Sequence, residues 1–188
     1  MKRLFLMVVG LVLILSSMSC APSTPTPTPE KEKPFSEQAV TETTVHNAIQ
    51  DLSGTDVVLG KSITKIEVFP HGGTADPNDV IVHIYFHPDA IWDEEDAMEK
   101  AVHTSIKAME VLFQNDKVSE VVMWEELDFT DKYGETKTET AIRLTMEKEV
   151  ADRIMDWEKV DDRAWADYNT FFDLAELQYV HPAIMRGL

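Results

Sequence analysis

Five of the nine prolines in this 188-residue chain fall within fourteen residues, at positions 22, 25, 27, 29 and 34 of the stretch APSTPTPTPEKEKP. No large apolar residue interrupts it, so nothing there can drive collapse. Proline locks φ, and the repeat favours an extended polyproline II chain. At about 3.1 Å per residue, residues 21–34 could span roughly 40 Å. The stretch therefore separates a short leader from the part that can build a core, residues 36–188. That body reads as a single domain of ordinary size.

The leader has three parts. Met1-Lys2-Arg3 is a positive start, residues 4–15 (LFLMVVGLVLIL) are apolar, and Ser16-Ser17-Met18-Ser19-Cys20 is a run of mostly small residues. This is the layout of a secretory signal. The apolar run falls short of the roughly 20 residues a spanning helix needs, although an uncleaved signal anchor is the alternative. Cys20 is the only cysteine, which excludes a disulfide within the chain and a cysteine-based zinc cluster. With Ser19 before it, this segment resembles the signal of prokaryotic lipoproteins. Ser17 departs from the leucine usual in that family. The resemblance covers residues 1–20. It implies cleavage after residue 19, lipid (diacylglycerol and palmitate) on Cys20, and a place on the extracytoplasmic face of the cell membrane. Each buried methylene of such a lipid contributes about 0.8 kcal/mol. Residues 20–35 then form the lipidation site and a Pro/Thr-rich spacer.

The chain carries 17 Lys and Arg against 34 Asp and Glu, a net charge of −17. Loss of residues 1–19 removes two bases and no acid, giving −19. Nucleic acid is an improbable partner, because affinity for phosphate backbones rests on Lys and Arg. The acidity reads as a property of the surface.

Hydrophobic periodicity predicts an α+β fold. A helix is expected over 41–52, strands over 61–69 and 79–87, and a long helix from Asp93 to about 113. Strands follow over 118–129 and 138–146, with helices over 147–157 (capped by Thr145) and 162–177. Residues 179–182 read as a loop. In the second strand Val80, Val82, Ile84 and Phe86 share one face, and Ile81, His83, Tyr85 and His87 the other. In the long helix Glu99, His103 and Lys107 form the wet stripe. The order α-β-β-α-β-β-α-α suggests a four-stranded, largely antiparallel sheet with helices on one face. The stretch from Tyr133-Gly134 through Arg143-Leu144 to Trp157, with His181-Pro182, faintly resembles exported lipoproteins of unassigned function. This implies an exported domain and carries no activity.

Chemical motifs are few. His83 and His87 stand four apart, but on a strand that is about 13 Å, too far to share one zinc ion. His87-Pro88-Asp89 matches the tripeptide of J-domain co-chaperones, yet follows a strand in an acidic chain and reads as a strand end. Asp93-Glu94-Glu95-Asp96 suits the positive start of a helix better than a calcium site. The residues around Asp128, Asp131 and Gly134 miss the calcium-loop spacing and read as a hairpin turn. Trp157, Trp165, Tyr168, Phe171, Phe172 and Tyr179 could make an aromatic platform or a core. No cofactor or metal is expected, and His71, His83, Tyr85 and His87 are the residues placed to face a ligand. The expectation is a lipid-anchored extracytoplasmic domain that binds a protein or envelope polymer. The alternatives are a hydrolase or metal-assisted enzyme using His71, His83 or His87 with a carboxylate, and a small-ligand or cation carrier.

Overall fold

The computed structural model describes residues 33–54 and 57–186. The signal segment, Cys20 and the spacer up to residue 32 lie outside the described residues. Among the described residues no helix is long and apolar enough to cross a membrane.

The body is α+β. Helix α1 (Glu42–Ile49) begins at Thr41, whose hydroxyl accepts from the Thr44 amide while the Thr44 hydroxyl accepts from the Thr41 amide. That reciprocal pair satisfies two otherwise orphaned donors. Val45 and Ile49 enter the core. Two short strands, β1 (Ser53–Gly54) and β2 (Val57–Val58), pair antiparallel, and α2 (Leu59–Ser62) follows. The Gly60 amide donates to the Gln50 carbonyl at 2.9 Å. A Cβ at Gly60 would lie 2.4 Å from that oxygen, so only glycine permits the approach.

The main sheet contains β3 (Ile63–Pro70), β4 (Val80–Phe86), β5 (Val118–Thr130), β6 (Thr136–Glu147) and β7 (Glu176–Val180), in that spatial order. Helix α3 (Glu94–Leu112) links β4 to β5. The Asp93 carboxylate accepts from the Asp96 amide, and the Asp96 carboxylate accepts from the Trp92 amide. The predicted cap at Asp93 is thus present, with the return bond reaching one residue further back. After β6 come α4 (Lys148–Ala151) and α5 (Trp157–Ala166).

The sheet has five strands and is mixed, which corrects the four-stranded, largely antiparallel expectation. Helix α3 carries the chain back along the sheet, so β5 lies parallel to β4. A parallel pair needs such a crossover. The fifth strand is part of what reads as the last helix and its tail. Asp167, with φ −162°, ends α5 and caps a 3-10 turn over Tyr168–Asp173. Glu176–Val180 then pairs with β6, which supplies backbone partners that local sequence cannot reveal. The helix expected over 147–157 is also cut short. Thr145 lies in the β6 ladder, and Asp156 starts α5 by accepting from the Lys159 amide.

Helices and sheet share one core. Val82, Ile84 and Phe86 of β4, Val121 and Met123 of β5, and Ile142, Leu144 and Met146 of β6 pack with Ile106, Met109 and Leu112 of α3. Helix α5 adds Val160 and Ala164 to the same core. His103 is therefore 1% exposed, contrary to its expected place on a wet stripe. A second layer of helix covers that stripe. His103 Nδ1 lies 2.7 Å from Asp161 Oδ1, Lys107 Nζ lies 2.7 Å from Asp161 Oδ2, and the Trp165 ring stacks on the imidazole at 4.0 Å.

Beyond the pairing of Phe86 with Glu125, the β5–β6 hairpin runs on without β4. Its tip is an Asx turn in which Asp131 Oδ1 accepts from the amides of Tyr133 and Glu135. Gly134 sits at φ +85°, a conformation glycine adopts at no steric cost. The expected hairpin turn is present here.

Candidate functional site

The face of the sheet away from the helices carries His83 and Tyr85, two of the four residues expected to face a ligand. Register sets what meets on it. Lys65 of β3 stands opposite Tyr85 of β4, Tyr85 opposite Trp124 of β5, Trp124 opposite Arg143 of β6, and Arg143 opposite Tyr179 of β7. One row thus crosses all five strands, about 19 Å at the usual strand spacing.

The row is a stack standing on the sheet. The Tyr85 and Trp124 rings lie 5.3 Å apart and within 13° of parallel. The Lys65 ammonium sits 5.2 Å from the centre of the Tyr85 ring, and the Arg143 guanidinium 4.9 Å from that of Trp124. Cations over the faces of Tyr and Trp are attracted by the ring quadrupole, by about 0.5–1 kcal/mol each at exposed sites. The ring faces are therefore taken by one another and by the cations. The row offers ring edges and charge, and no flat platform for a sugar.

His83 lies one row along. Its ring is edge-on to Phe69 at 5.1 Å and tilted against Trp124 at 5.8 Å. Burial pushes the imidazole below its ordinary value. The Tyr85 hydroxyl donates to Glu67 at 2.9 Å. Burial and that carboxylate push the phenol up to about 12. The hydrogen bond from Lys65, then the one from Tyr85, hold Glu67 below the usual carboxylate range. Tyr85 is therefore not poised to exchange a proton near neutrality.

His71 and His87 stand apart from this row. His71 Nε2 is 3.9 Å from Glu120 at one end of the sheet, and His87 Nε2 is 3.6 Å from Asp128 at the other. The eight strand positions from Glu120 to Asp128 place these two carboxylates more than about 20 Å apart. The three histidines do not converge, and each meets a different part of β5. Among the described residues no group of three His, Cys, Asp or Glu side chains could hold a metal ion.

The Trp124 Nε1 and Arg143 Nε donors are buried and have no acceptor among the described residues. Arg143 also has no carboxylate partner there, whereas Lys65, Lys107, Lys117, Lys148 and Arg153 each have one. In a chain with twice as many acids as bases, a guanidinium left unpaired in mid-sheet is available to an outside group. A shallow hollow of about 240 Å³ lies beside it, between Trp124, Thr140 and Tyr179.

A cleft of about 510 Å³ lies at the His87 end. The β4–α3 loop, the projecting part of β5 and the C-terminal turn enclose it, with Ile91, Leu127, Phe129 and Ile184 among its apolar residues. Trp92 stands at its edge, 85% exposed.

Trp124 and Arg143 escape the sequence reading because they alternate with the buried residues of β5 and β6. Only register brings them to Tyr85. The aromatic platform considered for the C-terminal segment does not form. Phe171 is buried, Trp165 covers His103, and Tyr179 turns to the sheet row.

Set against family models, curated proteins and solved structures, the chain matches none.

Proposed function

We propose that the chain is an exported, lipid-anchored binding domain that offers the open face of its sheet to a protein or polymer of the cell envelope. The row from Lys65 to Tyr179 carries this reading. Its rings are pre-stacked, so little side-chain freedom is lost on contact. The Arg143 guanidinium, without a carboxylate partner among the described residues, supplies a charge that an acceptor-bearing partner would meet with charge-assisted hydrogen bonds. The leader supports the cellular side of the reading. An apolar run, a single Cys20 and an extended spacer would hold the domain out from the extracytoplasmic surface.

Two measurements in intact cells test it. Clickable palmitate is expected to label the wild type and not Cys20→Ala, and the variant should leave the membrane fraction. A photo-crosslinking residue at Tyr179, on the sheet face, should give a discrete adduct that Arg143→Gln weakens at least several-fold. The same residue at Glu158, on α5, should give none. An unlabelled Cys20 would remove the anchor. Adducts that are identical from both faces, or insensitive to Arg143, would remove the binding face.

A further inference from the structure

The geometry points to the cleft beside His87 as a binding site for an organic ammonium cation with an apolar body. The site is separate from the sheet row, and the inference does not depend on that row.

Three observations carry it. The cleft holds about 510 Å³, within the size range of small-ligand sites. Leu127, Phe129, Ile91, Ile184 and Ala97 give it apolar surface able to accept hydrocarbon. Its border is one-signed. Asp89, Asp93, Glu94 and Asp128 line it, and His87 is the only basic residue that does. Asp93 is occupied in capping α3, and Asp128 accepts from Thr138 and faces His87. Asp89 and Glu94 have no cationic partner among the described residues.

The third observation is Trp92. Its backbone is fixed through the bond from its amide to Asp96, yet its ring is 85% exposed and stacks on no other ring among the described residues. Indole is the best of the aromatic faces for a cation. An exposed tryptophan beside an acid-rimmed apolar cleft fits a ligand that is greasy and positive at once.

Opposing charges do not reverse the sign. The start of α3 contributes about half a positive charge. The Lys100 ammonium is already held by Asp96 and the Ala90 carbonyl. Four carboxylates outweigh both.

Ammonium groups of this kind come as free organic cations or as lysine side chains of a peptide, and calorimetry on the purified full chain in a maltoside detergent separates them. The probes are benzyltrimethylammonium, N-acetyl-lysine methylamide, and benzyl alcohol as an uncharged aromatic control. At least one cation is expected to bind tenfold or more tightly than benzyl alcohol, and added salt should weaken it. Trp92→Ala should weaken it about fivefold, and Asp89→Asn with Glu94→Gln about tenfold. Trp92 and Asp89 make no buried side-chain contact to lose, and unchanged thermal melting will verify the fold. A preference for benzyltrimethylammonium identifies a free cation as the ligand, and a preference for the lysine derivative a peptide. Equal binding of benzyl alcohol, indifference to the variants, or no binding of either cation would overturn the site. The Tyr179 crosslinking result is independent of all these outcomes.

Discussion

Replacing Asp161 with alanine is expected to cost about 3 kcal/mol of folding stability. The carboxylate is held between His103 Nδ1 and Lys107 Nζ, each at 2.7 Å, under the α3–α5 contact. An ionised Asp161 is acceptor-only, so His103 donates through Nδ1–H. Its Nε2 is already buried without a partner among the described residues. Removal of Asp161 would orphan the second ring nitrogen as well and leave the Lys107 charge facing an emptied contact. Lys107→Met should cost under about 1 kcal/mol, because its side chain is 31% exposed and screened. Urea unfolding with an unchanged slope would measure both. Equal losses in the two variants would show that the carboxylate is not the centre of the network.

The same residue gives a pH signature. Burial pushes the Asp161 carboxyl up, but hydrogen bonds from Lys107 and His103 outweigh it and hold the group below its ordinary value of 3.8. A depressed folded value stabilises the fold above 3.8, and that contribution is lost as pH falls through the folded value. The gap between wild type and Asp161→Ala should therefore narrow in acid below about pH 4.

Glu125→Met is expected to act in the opposite sense, raising stability by about 2 kcal/mol at pH 7. Glu125 is 1% exposed, and neither carboxyl oxygen has a hydrogen-bond partner among the described residues. Burial, reinforced by the charge of Asp96 and only partly offset by Lys100, drives the group well above its ordinary value of 4.5. A raised acid binds more protons folded than unfolded, so wild-type stability falls as pH climbs from 4.5 toward the folded value. The advantage of methionine should shrink as pH returns to about 4.5. Glu125→Gln removes the charge and keeps the shape, and should flatten the same limb. A glutamine variant less stable than wild type at pH 7 would mean that the carboxylate has a donor and is not a destabilising buried charge.

These two residues show what was legible in the sequence. Val82, Ile84 and Phe86, with Ile142, Leu144 and Met146, announce their buried face by simple alternation, because a strand repeats every two residues. Asp93 announces the start of α3 because a helix start needs an acceptor. The places of His103 and Glu125 depend on a second layer that no local pattern encodes. His103 lies on the polar stripe of α3 until α5 covers it. Glu125 sits beside a shift in the β5–β6 register. The binding row is hidden in the same way. Each of its five residues comes from a different strand, and the pairings exist only once the sheet is assembled.

The parallel junction of the sheet has a kinetic corollary. The β5–β6 pair closes over residues 131–135, while the β4–β5 pair must close over residues 87–117. The longer loop adds about 1.6 kcal/mol of closure entropy. The two hairpins can zip early and alone. Their union awaits α3, whose apolar stripe is the template on which the halves align, so the rate at which this chain matures should be set by one helix finding two half-built sheets.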